Sequence, residues 1–160
     1  AFAEMREQLG LSARPQFVLV SASGSIDVSE PAIDGAWIFT TPQGEAKLRA
    51  ELSANVRLTV QDSDRISFVD LLGSLRAAGY ARVLTEGGPT LFSQLIQERL
   101  LDRLFLTSSP ALFGRFAGDQ RKSLAEGLDL SGTTLELESA RRHGSHLFLS
   151  YALSRAQAGR

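Results

Sequence analysis

Short apolar runs recur along the chain, and the stretches between them space their apolar residues as on one face of a helix. The run at residues 16–21 predicts a buried strand and the run at residues 36–40 predicts a second strand, whereas the alternation at residues 56–60 predicts a half-exposed or edge strand. Val83 and Leu84 predict another short buried strand, and residues 102–108 predict the next.

Helical patterns fill most of the chain between these runs. Residues 1–10 predict a helix that ends at a glycine, and residues 43–53 predict a second. Ser67 is placed to cap a third helix, which Gly79 ends. A fourth helix is expected to begin at Pro89, because proline suits the first helical position, where its missing N–H costs nothing.

The C-terminal part of the chain has a different pattern. Residues 109–118 predict a long loop, and residues 119–128 predict a short helix. Residues 134–142 and 146–153 alternate apolar and polar positions on either side of Gly144, which predicts an antiparallel hairpin.

The order of these elements predicts an α/β fold. We expect a mostly parallel sheet with helices on both faces, followed by the C-terminal antiparallel hairpin. With 160 residues, of which 43% are hydrophobic and 22% charged, one globular domain over residues 1–155 is expected. Residues 156–160 are expected to form a disordered tail.

Composition narrows the class of function. The net charge of −1 gives no electrostatic footprint for nucleic acid or an anionic membrane, and no apolar run reaches the roughly 18 residues of a membrane span. Cysteine is absent, which removes disulfides, thiolate metal sites and cysteine nucleophiles. We therefore expect a cytoplasmic protein without a nucleic-acid or membrane partner.

The candidate chemistry is concentrated in residues 81–97, ARVLTEGGPTLFSQLIQ. The pattern predicts a strand, a tight glycine turn and a helix whose first N–H groups are free to bind an anion. Glu86 adds a carboxylate at the end of the strand. The same pattern also serves as a purely structural connection between a strand and a helix.

Polar residues follow two other predicted strands, at Ser21 and at Thr40 and Thr41. Because the carboxyl ends of parallel strands meet at one edge of a sheet, these side chains, Thr85 and Glu86 are expected to line one crevice. Together with the glycine turn they predict a nucleotide site. No metal site is expected, since His143 and His146 have no carboxylate cluster beside them at metal-binding spacing.

Several of these motifs resemble one known family. VLTEGGPTL with its following helix, and then LLDRLFLTSSPALFG, are similar to the C-terminal reductase domain of RibD from riboflavin biosynthesis, whose fold is that of dihydrofolate reductase. RPQFVLVSASGSID and AWIFTT match in order and spacing, so the resemblance covers about residues 1–153. It implies NADPH as cofactor, a homodimer, and reduction of the ribosyl group of 5-amino-6-(5-phosphoribosylamino)uracil or a related pyrimidine to ribityl.

The resemblance also assigns roles to residues. It implies that Glu86 lies near the substrate, that Ser21, Thr40 and Thr41 contact the cofactor, and that the phosphates and ribose of NADPH contact the turn and the start of the helix. The residues of the turn and helix are Gly87, Gly88, Pro89, Thr90, Leu91 and Phe92.

One part of the family pattern has no counterpart in the sequence. Family members begin with a strand and an S-x-D-G segment, so we expect the N-terminal part of the fold, and with it part of the substrate pocket, to be missing from this chain. Three alternatives remain open: a dihydrofolate reductase-like activity on a pterin, a non-catalytic nucleotide-binding module, and another phosphate-binding α/β enzyme that acts on a sugar phosphate.

Overall fold

The computed structural model describes residues 2–114, 116, 118–120, 122–127, 129–130 and 134–153. The chain divides into two compact units, Ala1–Ala81 and Arg82–Arg160. The first unit contains α1 (Phe2–Gln8), β1 (Val18–Val20), a 3-10 turn (Pro31–Ile33), β2 (Trp37–Thr40), α2 (Pro42–Leu48), β3 (Arg57–Val60) and α3 (Phe68–Ala77). The second unit contains α4 (Pro89–Gln97), β4 (Arg103–Ser108), β5 (Leu135–His143) and β6 (His146–Leu153).

The sheet of the first unit is parallel, with the order β1-β2-β3. All four residues of β2 are buried, as expected of a central strand covered on both faces, whereas β3 is at the edge and begins at the exposed Arg57. The predicted strand at residues 36–40 and the predicted half-exposed or edge strand at residues 56–60 are therefore confirmed.

Apolar side chains cover both faces of this sheet. On one face Ala36 and Ile38 join Leu48 of α2 in a buried cluster. On the other face the rings of Trp37 and Phe39 stack with their centres 4.9 Å apart. The buried residues of α3, which lies along this second face, are Phe68, Leu71 and Leu75.

The ends of α3 are fixed by the residues predicted from the sequence. The Ser67 hydroxyl accepts a hydrogen bond from the Asp70 N–H at 3.2 Å, which satisfies one of the free donors of the first turn. The Gln61 side chain fixes the position of Ser67. Its Oε1 accepts a hydrogen bond from the Ser67 N–H at 2.6 Å, and its Nε2 donates to the Ser67 carbonyl at 3.0 Å. Gly79 follows the helix with a φ of 91°, the left-handed conformation that ends many helices.

The second unit contains an antiparallel sheet with the order β4-β6-β5, in which β5 and β6 form the predicted hairpin around Gly144. The pairing of β5 with β6 is interrupted by a β-bulge at Glu138, between Leu137 and Ser139. The Glu138 carboxylate accepts two hydrogen bonds from the Arg103 guanidinium, at 2.8 and 3.1 Å, and one from the Ser150 hydroxyl at 3.1 Å. This ion pair links the two edge strands across the central one.

The prediction of a buried strand at Val83 and Leu84 is wrong. The two side chains are 50% and 75% exposed, and residues 80–88 contain no helix or strand. A strand exists only through hydrogen bonds to a neighbour, and none of the strand pairs in the described part of the chain includes these residues. A two-residue apolar run does not specify a partner strand elsewhere in the sequence with which it would pair.

The prediction of a helix at residues 119–128 is also wrong for the residues that are described there. Backbone N–H groups that a helix would direct to carbonyls are bonded to side chains instead. The Ser123 N–H donates to Glu126 Oε1 at 2.7 Å, and the Glu126 N–H donates to the buried Ser93 hydroxyl of α4 at 2.9 Å. Gly118 and Gly127, both with positive φ, bracket this segment.

The predicted disordered tail at residues 156–160 lies outside the described residues, and the predicted domain limits stay a prediction. Among the described helices, none is long and apolar enough to cross a membrane.

Candidate functional site

The N-terminus of α4 carries free backbone donors. Gly88 is the N-cap residue in extended conformation, Pro89 is the first helical residue, and no side chain from the described residues caps this helix. The first intrahelical bond is from the Phe92 N–H to the Gly88 carbonyl, at 3.1 Å. The N–H groups of Gly88, Thr90 and Leu91 therefore have no acceptor within the helix, and they lie at the positive end of its dipole.

The two glycines of this turn differ in the space around them. A Cβ on Gly87 would lie 2.0 Å from Leu91 Cδ2 and 3.1 Å from Leu91 Cβ, so a side chain here would require the Leu91 side chain in the first turn of α4 to change its conformation. The Gly87 N–H donates to the Thr85 hydroxyl at 3.3 Å, which holds the turn in shape. A Cβ on Gly88 would meet nothing within 4 Å, so the space in front of the free N–H groups is open.

Two exposed polar residues flank the glycines of this turn. Glu86 and Thr90 are exposed on either side of the glycines, whereas Leu91 and Phe92 are half-buried in the first turn of α4. An exposed carboxylate beside free backbone donors can accept hydrogen bonds from one part of a ligand while the donors bind an anionic part.

The other predicted site residues lie together in the first unit. The Thr40 hydroxyl donates to the Ser21 carbonyl at 2.7 Å, and the Thr41 hydroxyl donates to the Ala22 carbonyl at 2.7 Å. Thr41 is also the N-cap of α2, since it accepts a hydrogen bond from the Gly44 N–H at 3.3 Å. Ser21 is half-buried, and its N–H donates to the Phe39 carbonyl.

Sequence reasoning missed a close contact between Gly24 and Gly44 beside these threonines. A Cβ on Gly24 would lie 2.4 Å from the Gly44 carbonyl oxygen, and a Cβ on Gly44 would lie 2.0 Å from the Thr40 hydroxyl oxygen. The signal in the sequence is a glycine in the third position of α2, where glycine is a poor helix former and needs a packing reason.

The predicted site residues thus form two groups, one in each unit. Ser21, Thr40 and Thr41 are brought together around one loop, and residues 86–92 are brought together around one turn. The single crevice that joins both groups stays a prediction. Among the described residues, no group of three or more His, Asp or Glu side chains is placed to hold a metal ion.

The chain is similar to known proteins in both sequence and fold. A sequence model of the family described as RibD C-terminal domain matches residues 3–149. The structure of a pyrimidine reductase-like protein from Corynebacterium diphtheriae superimposes with a TM-score of 0.73 and 20% identity, over 96% of this chain and 67% of that chain. RibD of Acinetobacter baumannii gives 0.70 and 18%, over 91% and 40% of the two chains.

A third similar structure is the diaminohydroxyphosphoribosylaminopyrimidine deaminase/5-amino-6-(5-phosphoribosylamino)uracil reductase of Thermotoga maritima, with a TM-score of 0.65 and 20% identity over 88% of this chain and 38% of that chain. The chain thus spans about two fifths of the Acinetobacter and Thermotoga proteins. At these identities the likeness concerns the fold, and it confirms the predicted α/β architecture with its C-terminal hairpin.

Proposed function

The chain belongs to the RibD C-terminal domain family, and on this premise we propose that it is an NADPH-dependent reductase of a phosphoribosyl pyrimidine. The proposed substrate is 5-amino-6-(5-phosphoribosylamino)uracil or a related pyrimidine, and the similar Thermotoga protein is named as a reductase of this compound. The observation that supports the proposal most strongly is the uncapped N-terminus of α4 behind an exposed glycine turn.

This turn fits a dinucleotide phosphate. The N–H groups of Gly88, Thr90 and Leu91 can donate to phosphate oxygens, and the open space at Gly88 lets those oxygens come close to the backbone. The exposed Thr90 hydroxyl is a further donor. When bound, NADPH supplies the hydride, and the role of the protein is to hold and orient it.

Glu86 is proposed to bind the substrate. It is exposed and directly precedes the glycines, so its carboxylate lies at the border of the proposed cofactor turn. A carboxylate there can accept hydrogen bonds from the amino and amide N–H groups of a pyrimidine, which would hold the substrate beside the cofactor.

Cofactor binding is tested by titrating the protein with NADPH. Gly88→Asp places a negative charge in front of the free N–H groups, and like-charge repulsion is expected to weaken NADPH binding at least about 10-fold. Gly73→Asp is the matched control, since Gly73 is an exposed residue of α3 where a Cβ also meets nothing within 4 Å. Absence of NADPH binding, or equal affinity in both variants, would contradict the proposal.

The reaction is tested by mixing NADPH with 5-amino-6-(5-phosphoribosylamino)uracil and following the loss of NADPH absorbance. We expect oxidation of NADPH that depends on the pyrimidine, with a ribityl product identified by mass spectrometry. If the pyrimidine is inert and dihydrofolate is reduced, the substrate class is wrong and the pterin alternative is correct. NADPH binding without turnover of either compound would support a non-catalytic module.

A homodimer is proposed as well. One face of the second-unit sheet leaves leucines exposed on all three strands, and β5 is an open edge. The exposed leucines of this face are Leu106, Leu135, Leu137 and Leu147. Sedimentation velocity is expected to show a dimer, and Leu137→Glu is expected to shift it to monomer, whereas Leu124→Glu, in an exposed loop, is not.

A further inference from the structure

The hydroxyls of Thr40 and Thr41 are already used within the protein. The two residues are 0% and 1% exposed, and each hydroxyl donates to a backbone carbonyl of the segment that follows β1. A ligand could reach these hydroxyls only if that segment moved away. Direct contact between either side chain and a cofactor is therefore disfavoured by the geometry.

The same segment is held from its other side by the contact between two glycines. Gly24 has a φ of 68° and lies against the backbone of Gly44, so that neither residue has room for a Cβ. The atoms closest to a Cβ on Gly24 are backbone atoms, and those cannot rotate away as a side chain can. The segment from Ser21 to Ser25 is therefore fixed at its start by the threonines and at Gly24 by α2.

What this segment presents to solvent is polar. Ser23 and Ser25 are exposed and Ser21 is half-buried, whereas Gly24 is buried. The Ser25 N–H donates to the Ser23 hydroxyl at 3.3 Å, which keeps the exposed end of the segment compact. Rigid loops with hydroxyls and main-chain donors can bind a ligand without a large loss of conformational entropy.

We propose that Thr40, Thr41, Gly24 and Gly44 are positioning residues, which hold the serine segment Ser21–Ser25 in the shape that binds the cofactor, and that the serine segment itself makes the contact. This inference rests on the proposed NADPH-dependent function. It replaces the direct contacts of Thr40 and Thr41 implied by the family resemblance with an indirect role.

The test uses Thr40→Val, which keeps the shape of the side chain and removes its hydroxyl. The Ser21 carbonyl then loses this partner, so the serine segment should loosen and the affinity for NADPH should fall roughly 5- to 10-fold. Thr40→Ser restores the hydroxyl and should return the affinity to within about 2-fold of the wild type. Thr59→Val is the matched control, because it removes a threonine hydroxyl that bonds Trp37 Nε1 on another strand.

Two measurements are made on each variant: the dissociation constant for NADPH, and hydrogen exchange of the amides of residues 21–26 in the ligand-free protein. The inference predicts faster exchange and weaker binding in Thr40→Val, and neither change in Thr40→Ser or Thr59→Val. Weaker binding with unchanged exchange would mean that Thr40 contacts the cofactor directly, and faster exchange with unchanged binding would mean that the segment is not part of the site. Absence of NADPH binding in the wild type would overturn the proposed function instead, while the exchange result would still show whether the Thr40 hydroxyl holds the serine segment.

Discussion

The guanidinium of Arg57 lies 3.6 Å from the centre of the Trp37 ring, where the first residues of β3 and β2 pair. The ring is also fixed at its edge, because its Nε1–H donates to the Thr59 hydroxyl at 2.8 Å. Trp37 is the single tryptophan of the chain and is only 2% exposed. A polar side chain from the edge strand thus shields an aromatic residue of the central strand.

Removal of the Arg57 side chain from the Trp37 ring should change both the stability and the fluorescence of the protein. Arg57→Ala is expected to lower the free energy of unfolding by about 1 kcal/mol, since it removes a cation–π contact. It should also move the fluorescence emission of Trp37 to longer wavelength, because water gains access to the ring. Arg65→Ala, which removes an exposed arginine from a turn, is the control, and equal effects of the two substitutions would contradict the prediction.

The helix α3 allows the same substitution to be compared at two positions. Ser67→Ala removes the N-cap hydroxyl and should cost about 1 kcal/mol of stability. Ser74→Ala removes a hydroxyl that only donates back to the Asp70 carbonyl within the helix, and it should change stability by less than about 0.5 kcal/mol. Urea denaturation distinguishes the two, and a larger loss at Ser74 would argue against the capping role.

The effect of the close contact at Gly24 on stability can be separated from the effect of the positive φ of that residue. Gly24 and Gly35 have nearly equal φ, 68° and 69°, but a Cβ on Gly35 meets nothing within 4 Å. Gly35→Ala should therefore cost only the strain of positive φ, about 1–2 kcal/mol. Gly24→Ala adds a collision with the Gly44 carbonyl and should cost roughly 1–3 kcal/mol more. Thermal unfolding midpoints are expected to fall more for Gly24→Ala than for Gly35→Ala. An equal or smaller loss for Gly24→Ala would show that α2 moves away and relieves the collision.

The ion pair at the bulge predicts a pH dependence of stability. The hydrogen bonds and charge of Arg103, together with the Ser150 hydroxyl, hold the pKa of Glu138 below its ordinary value of 4.5. The folded state thus binds this proton less readily than the unfolded state. The stabilisation is complete above pH 4.5 and is lost as the pH falls from there through the lower pKa of the folded state.

Glu138→Gln should remove this dependence. The difference in unfolding free energy between the wild type and Glu138→Gln is expected to be constant at neutral pH and to shrink below pH 4.5. Glu136→Gln, on the same strand, controls for loss of one negative charge. Chemical denaturation from neutral to acidic pH measures the effect, and a difference that does not change with pH would show that the pair adds no linked stability.

Substrate binding by Glu86 predicts a selective kinetic defect. Glu86→Gln removes the charge of a proposed hydrogen-bond acceptor, which is expected to lower kcat/KM for the pyrimidine about 10-fold or more. The dissociation constant for NADPH should stay within about 2-fold of the wild type. Glu98→Gln, at the opposite end of α4, is the control. A loss of NADPH affinity in Glu86→Gln without a loss of kcat/KM would assign the residue to the cofactor instead.

Elements encoded by neighbouring residues could be predicted from the sequence. The strands of the first unit, the capped helix α3, the proline-initiated helix α4 and the terminal hairpin all depend on short-range periodicity, caps or turns. Val83 and Leu84 were predicted wrongly because a strand also needs a distant partner. The helix at residues 119–128 was predicted wrongly for the residues described there, because side chains such as Glu126 bond the backbone donors.

The candidate site was predicted only in part, because some of its features depend on residues that are distant in the sequence. The glycine turn is a local feature, so the free helix N-terminus behind Gly88 could be inferred from a few residues. The burial of Thr40 and Thr41 depends on how the segment after β1 folds over them, which no spacing within the sequence encodes. A polar residue at a strand end can thus bind the protein's own backbone rather than a ligand.

The extra residue at Glu138 also affects how relatives should be aligned. Leu137 is opposite Tyr151 and Ala140 is opposite Leu149, so these side chains share one face although Leu137 and Ala140 are three positions apart. A relative with a regular β5 would have one residue fewer between the corresponding positions. A gap placed at Glu138 keeps residues 139–143 in equivalent columns, whereas a gap at the Gly144 turn would assign these residues to the wrong face of the sheet.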